Sequence, residues 1–183
     1  MIDLYRVFPW DPGAALADPG GALFVPESAE GRISNPDLYQ EFYAAGSETA
    51  AIAERLGRFV RWRRGTFVPR NGLQLALAHL YLNADARICE LDDTKTLLGC
   101  GIQRPSDVVT TQRSITQAWA RRIFEANRYD GISWWSRYND RYRVYGIWNY
   151  SVISLAEAPA ELTIEHPLVQ QTAREIVRQC DRR

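Results

Sequence analysis

The irregular mixture of strand-like and helix-like segments constrains the fold of this chain more than any other feature of its sequence. Apolar and polar residues alternate in residues 4–8 and 73–82, a period that predicts β-strands. Residues 49–56 follow Ser47, a good N-cap, and residues 116–126 form an amphipathic pattern, so both segments are predicted helices. These elements do not alternate as in a doubly wound fold. We therefore predict an α+β fold with mixed, largely antiparallel sheets and flanking helices.

Shorter segments complete this prediction. Brief apolar or aromatic runs predict further strands at residues 22–25, 38–44, 86–91, 132–135 and 143–148. Two aspartates at 92 and 93 open a short helical turn that ends at Gly99 or Gly101. A last helix is predicted over residues 167–180, with Val177 among the side chains that face the core. No repeat or linker divides the sequence, so residues 1–183 are expected to form one domain.

Composition excludes several classes of protein. Hydrophobic residues make up 46% and charged residues 24%, which is typical of a globular domain. The formal net charge is zero, so the field of the whole molecule does not attract nucleic acid or an anionic membrane. No apolar run approaches the ~20 residues that span a bilayer, and the N-terminus lacks the pattern of a signal peptide. We expect a cytoplasmic location and no membrane contact.

Motifs for metal and phosphate-loop chemistry are missing from the sequence. The three cysteines have no CxxC spacing and the two histidines lie far apart, so we expect no metal. Neither a GxxxxGK[ST] loop nor a GxSxG elbow is present. Of the 22 basic residues, Lys95 alone is lysine. Arginine forks suit phosphate groups, although the codon bias of a GC-rich genome would give the same count.

Several short segments, taken in order, resemble a known family. They are Leu4-Tyr5-Arg6, Gly20-Gly21, Tyr43-Ala44-Ala45-Gly46-Ser47, Ala50-Ala51-Ile52-Ala53-Glu54, Thr116-Gln117-Ala118-Trp119-Ala120 and residues 129–136. Each segment is short, but their order and spacing together resemble the RES domain family, which is named for its Arg, Glu and Ser. The resemblance covers about residues 4–150, with the predicted C-terminal helix beyond it.

This resemblance implies a fold similar to the ADP-ribosyltransferases and NAD as the substrate. It implies that Glu54, Tyr43 and Ser136 are catalytic, and that Arg6, Arg32 and Tyr43 bind NAD. Many members of the family are toxins of bacterial toxin–antitoxin pairs that deplete NAD or transfer ADP-ribose to a target. The implied partner is a helix-turn-helix antitoxin of the Xre type, and contact with nucleic acid would be indirect, through that antitoxin.

The chain departs from the family pattern at one place. The family usually follows its Gly-Gly with an arginine and an aromatic residue, whereas Gly20-Gly21 is followed here by Ala22, Leu23 and Phe24. Arg32 is the candidate for the missing arginine.

The implied residues suit cleavage of the nicotinamide–ribose bond. Loss of nicotinamide builds positive charge on the ribose, as in glycoside cleavage, and the Glu54 carboxylate would stabilise that charge. The Arg6 fork would pair with the pyrophosphate. Tyr43 would stack on the nicotinamide or ribose face, and Ser136 would hydrogen-bond to either group.

Two alternatives from other classes stay open at this point. The chain could be a catalytically inactive RES-like module that binds a partner protein. It could also bind RNA through residues 58–64, where arginine and aromatic residues interleave, although a solvated, partly packed segment explains the same run. The acceptor of ADP-ribose is also open, because water, phosphate and a protein side chain would all use the same bond-breaking site.

Overall fold

The computed structural model describes residues 1–69 and 72–181. Its α-helices are α1 (Glu48–Leu56), α2 (Thr94–Gly99), α3 (Ser106–Val109), α4 (Arg113–Glu125) and α5 (Pro167–Glu175), with 3₁₀ turns at Arg64–Phe67 and Tyr150–Val152. Its strands are β1 (Ile2–Pro9), β2 (Phe42–Ala45), β3 (Arg61–Trp62), β4 (Leu75–Leu82), β5 (Ile88–Glu90), β6 (Gly131–Trp135), β7 (Arg143–Ile147), β8 (Ile153–Leu155), β9 (Ala160–Glu161) and β10 (Gln179–Cys180).

The main sheet confirms the predicted α+β class. Its strand order is β5-β6-β7-β2-β1-β4-β8, with β9 also pairing to β4. The pairs of this sheet are antiparallel except β5 with β6, and the parallel pair β3–β10 forms a small second sheet. No helix of the described residues is long and apolar enough to cross a membrane.

The main sheet divides between β1 and β2. Strand β1 pairs with β4 along its whole length, from Ile2 to Pro9. Strand β2 pairs with β7 at four positions, but it meets β1 at the single position Tyr5↔Ala45. Because the two strands separate on leaving this pair, the sheet consists of two halves with a gap between them.

The core lies on the two faces of this divided sheet. Helix α1 follows β2 directly and packs against α5, and the cluster they share includes the fully buried Trp62. Helix α4 covers β6 and β7 through Trp119 and Ile123. A third cluster, which includes Leu80 and Phe42, lies between β1, β2 and β4.

The predicted strand at residues 22–25 is wrong. The backbone turns there, and the N–H groups of Leu23 and Phe24 bond to the nearby carbonyls of Leu16 and Gly21 rather than to a neighbouring strand. The strand predicted at residues 38–44 begins later, at Phe42, because residues 35–39 form a local turn.

The last helix is shorter than predicted and ends at Glu175 instead of residue 180. Val177 takes a left-handed conformation (φ 55°), and the N–H of Arg178 bonds back to the Ala173 carbonyl, as in a Schellman motif. Val177 is therefore 83% exposed, so the prediction that it faces the core is wrong. The chain then continues into β10 beside β3.

Candidate active site

A cleft opens where β1 and β2 separate. Its volume is about 320 Å³, at the lower end of the range of about 300–1,000 Å³ for small-molecule sites. Its walls come from β1, β2, α1, β7 and the loop before β2: Tyr5, Arg6, Val7, Pro26, Ser28, Gly31, Glu41, Tyr43, Ala44, Ala45, Ala51, Glu54, Arg55 and Val144. Four of the predicted site residues, Arg6, Tyr43, Glu54 and Ser136, meet at this cleft, Ser136 through its bond to Glu54.

Glu54 and Ser136 are joined by a hydrogen bond. Ser47 caps α1 by accepting from the Ala50 N–H at 3.2 Å, so the helix begins at a fixed place and turns Glu54 into the cleft. Ser136 follows the last residue of β6 and is buried. Its hydroxyl donates to Glu54 Oε1 at 2.5 Å and accepts from the Tyr138 N–H at 3.0 Å. The backbone N–H of Tyr138 thus holds the Ser136 Oγ in position.

The surroundings of Glu54 combine access with enclosure. Solvent reaches its side chain through the open cleft, while protein atoms surround the carboxylate on the other sides. Enclosure raises the pKa of the Glu54 carboxyl above its ordinary value of 4.5, and the Ser136 bond and the charges of Arg32 and Arg137 oppose this rise in part. A carboxylate of this kind is poised for interaction with a developing positive charge.

Arg6 lies in the gap between the two halves of the sheet. Its Nη1 donates to the Ala22 carbonyl at 2.9 Å, and its guanidinium carbon lies 4.4 Å from the centre of the Phe42 ring. Burial lowers the pKa of Arg6 to about 10, with a smaller effect from the charge of Arg55, so the guanidinium remains charged at neutral pH. Within residues 1–69 and 72–181, no carboxylate forms an ion pair with Arg6.

Tyr43 occupies the wall opposite β1. Its hydroxyl accepts from the Ile33 N–H at 3.1 Å, and its ring meets the Trp134 ring edge-on at 6.3 Å between centroids. Burial raises the pKa of Tyr43, so the phenol is neutral. The orientation of this ring is fixed before any ligand enters.

A buried carboxylate, Glu41, lies beside Tyr43. It accepts a short hydrogen bond from the Ser34 hydroxyl, and burial raises its pKa. A Cβ atom on Gly31 would lie 2.5 Å from the Tyr43 hydroxyl and 2.6 Å from Glu41 Oε1. Since real Cβ atoms do not come so close, any other residue at position 31 would force these side chains to shift.

Hydrogen bonds and packing hold Arg32 and Ile33, the two residues after Gly31, in place. The Arg32 Nη1 donates to the carbonyls of Val108 and Thr110 at 2.9 and 2.6 Å, at the end of α3. Ile33 is fully buried, and its Cδ1 occupies the space that a Cβ on Gly146 would need. Arg32 does not line the cleft itself, but its positive charge lowers the pKa of the Glu54 carboxyl in part.

The Gly20-Gly21 segment shapes the backbone beside Arg6. Gly20 has a φ of 95°, and a Cβ on Gly21 would collide with the carbonyls of Ala15 and Leu16. The pair forms a tight turn, which brings the Ala22 carbonyl to Arg6.

Sequence reasoning missed Glu41 and Arg55, which both line the cleft. Glu41 could have been found, because it stands two residues before Tyr43 and alternate residues of an extended chain share a face. Arg55 carried no comparable signal.

Two other predictions concern binding groups. No cluster of three His, Cys, Asp or Glu side chains that could hold a metal occurs among the described residues. In the basic and aromatic run at residues 58–64, Trp62 is fully buried and its Nε1 donates to the Leu56 carbonyl at 3.0 Å. Trp62 therefore cannot stack on a base, which weakens the case for RNA binding.

Comparisons with known proteins agree with this description. The model of the RES domain matches residues 3–172. No curated protein matches the sequence. Among solved structures, the chain is similar in fold to one from the M. tuberculosis MbcT–MbcA toxin–antitoxin complex, with a TM-score of 0.62 and 14% sequence identity. The match covers 96% of this chain and 89% of the other.

Proposed function

Because this chain belongs to the RES domain family, we propose that it breaks the nicotinamide–ribose bond of NAD and is the toxin of a bacterial toxin–antitoxin pair. The observation that carries the proposal is the hydrogen-bonded pair Glu54–Ser136 in a cleft that also holds the buried charge of Arg6. This arrangement offers a carboxylate for a sugar cation and a guanidinium for a pyrophosphate.

Glu54 acts on the charge that develops as nicotinamide leaves. The leaving group is already cationic in NAD, so departure needs little acid catalysis, and the ribose acquires oxocarbenium character. The Glu54 carboxylate stabilises that cation more than it stabilises the bound substrate, which is the condition for faster chemistry. The Ser136 hydroxyl keeps the carboxylate in place and favours its ionised form.

Arg6 receives the pyrophosphate. Its guanidinium is charged and half-buried, donates to a carbonyl and lies against an aromatic ring, with no carboxylate pairing to it among the described residues. An anionic ligand would supply the missing counter-charge. Arg55 borders the same cleft, and the charge of a third arginine, Arg32, also acts on Glu54. The nicotinamide riboside end of NAD would occupy the cleft, beside the preset ring of Tyr43.

The partner of this protein would be an antitoxin. The structure of similar fold is a toxin–antitoxin complex, and the family commonly pairs with helix-turn-helix proteins of the Xre type. Contact with DNA would then pass through the antitoxin, in agreement with the zero net charge of this chain.

The experiment is to incubate the purified chain with NAD and to separate the products by chromatography. Parallel reactions contain buffer alone, inorganic phosphate or a cell extract, so that the acceptor of ADP-ribose is identified as water, phosphate or protein. Nicotinamide release above the spontaneous rate in any of them supports the proposal. A folded sample that releases none in all three would instead indicate an inactive module that binds a partner, as the residues after Gly20-Gly21 would allow.

A further inference from the structure

Two cysteines outside the cleft form a close pair. Cys89 lies in β5 and is fully buried, while Cys100 follows α2 and is half-buried. Their sulfur atoms are 3.4 Å apart and share a hydrogen bond. One thiol of the pair is therefore open to a reagent and the other is within its reach.

The two thiols differ in their electrostatic surroundings. The bond from Cys89 and the charges of Arg128 and Arg122 lower the pKa of Cys100, whereas the same bond and burial raise the pKa of Cys89. The thiolate is the form that attacks sulfur, so Cys100 is the nucleophile of the pair. Tyr129 and Arg128 are further titratable groups that act on Cys89, and both lower its pKa in part.

We propose that Cys89 and Cys100 are an oxidation site, at which a small-molecule disulfide such as oxidised glutathione converts the two thiols into an intramolecular disulfide. In the first step the Cys100 thiolate attacks one sulfur of the reagent, forms a mixed disulfide and releases one glutathione thiolate. In the second step Cys89 attacks the Cys100 sulfur and gives its proton to the departing glutathione sulfur, so that the second glutathione leaves as a thiol. The protein loses two electrons and two protons, and the reagent is reduced to two thiols.

The local backbone allows this bond to form. A disulfide needs its sulfur atoms about 2.05 Å apart, so the pair must approach by more than 1 Å. Strand β5 is held by its ladder to β6, but Cys100 ends a helix of six residues and precedes Gly101, which is exposed and has a φ of 72°. We expect residues 99–101 to make this movement, because the space around Gly99 is open. A Cβ atom at Gly99 would meet no atom within 4 Å.

The test treats the reduced, purified full chain with oxidised glutathione at neutral pH. Remaining thiols are then alkylated, and intact mass and peptide mapping locate each bond. We expect a single alkyl group, on Cys180, a mass two hydrogen atoms lower than that of the reduced chain once this group is subtracted, and a cross-linked peptide that joins Cys89 to Cys100. A stable glutathione adduct on Cys100 with Cys89 still alkylated would overturn the proposal. So would preferential reaction at Cys180, or no reaction at all.

Three variants separate the two steps. Cys89→Ser should stop after the first step and keep glutathione on Cys100, whereas Cys100→Ser should leave Cys89 unmodified. Cys180→Ser is the matched control and should form the same cross-link as the parent chain. Glutathione on Cys89 in the Cys100→Ser chain would contradict the assigned nucleophile. The mapping of the parent chain stands by itself if a variant fails to fold.

Discussion

The Ser136 hydroxyl, at the end of β6, donates to the Glu54 carboxylate on α1 across 2.5 Å. The two residues are 82 positions apart in sequence, and the bond links one half of the divided sheet to the helix that follows its central strand. It leaves Glu54 open to the cleft while fixing one carboxylate oxygen. The first two predictions follow from this relationship.

Glu54→Gln should lower the turnover of NAD about a hundredfold or more, which corresponds to ~2.7 kcal/mol of lost transition-state stabilisation. The amide keeps the shape of the carboxylate but not its charge, so NAD affinity and melting temperature should change little. Turnover, NAD binding and thermal unfolding are measured together. Glu125→Gln, an exposed helix position paired with Arg121, is the matched control. Wild-type turnover in Glu54→Gln would remove Glu54 from the mechanism.

The pH profile should report the carboxyl of Glu54. Its pKa is raised above 4.5, and the ionised form is active, so kcat/KM should rise with pH through a value above 4.5. Ser136→Ala removes a hydrogen bond that lowers this pKa, so the acid limb should move to higher pH. Rates of nicotinamide release from about pH 4 to 8 give the acid limb of each of the two proteins. An identical limb in the two proteins would contradict the assignment.

Arg6→Ala should weaken NAD binding about tenfold to a hundredfold, the loss expected for a charge-assisted bond of about 1.5–3 kcal/mol. The pyrophosphate is charged in the ground state and the transition state alike, so affinity should fall more than turnover at saturation. Calorimetric titration with NAD measures the first quantity and initial rates the second. Arg121→Ala, on the exposed face of α4, should retain wild-type affinity.

Gly31→Ala should lower the stability of the fold and distort the wall of the cleft. The added methyl group would press on the Tyr43 hydroxyl and the Glu41 carboxylate, and overpacking of this kind costs about 1–3 kcal/mol. The melting temperature should fall by several degrees and the KM for NAD should rise. Gly65→Ala provides the comparison, because its Cβ would have nothing within 4 Å. Equal melting temperatures for the two variants would show that the cluster around Gly31 adjusts freely.

Induced expression of the chain in bacteria should arrest growth and lower cellular NAD. The reason is the proposed cleavage of the nicotinamide–ribose bond, so the Glu54→Gln chain should be tolerated at equal soluble expression. Growth curves and NAD assays on the two strains measure the effect. Normal growth and unchanged NAD with the wild-type chain would argue against the toxin and leave the fold assignment intact.

Local patterns were sufficient to predict α1 and β4. Ser47 supplies the cap of α1, and the apolar spacing of residues 49–56 supplies its buried face, so both signals lie within one short window. The alternation in residues 73–82 predicted β4 for the same reason. The resemblance to the family then supplied Glu54 and Ser136, whose contact no local pattern could show.

The remainder depends on contacts that residue-type preferences do not reveal. The cluster of Gly31, Ser34, Glu41 and Tyr43 exists because the turn at residues 35–39 folds one stretch of chain back on the next. Val177 adopts a left-handed conformation that β-branched residues rarely take, and no residue-type preference predicts it. In the first case a turn brings the residues together, and in the second the chain must leave α5 to pair as β10 with β3.

The contact between Ile33 and Gly146 has a consequence for how sequences of this family can diverge. Ile33 fills the space where a side chain at position 146 would begin, so any residue other than glycine at position 146 needs the Ile33 side chain to shift or to be smaller. A relative with alanine or a larger residue in place of Gly146 is expected to carry a smaller side chain in place of Ile33. The two positions should therefore covary across the family.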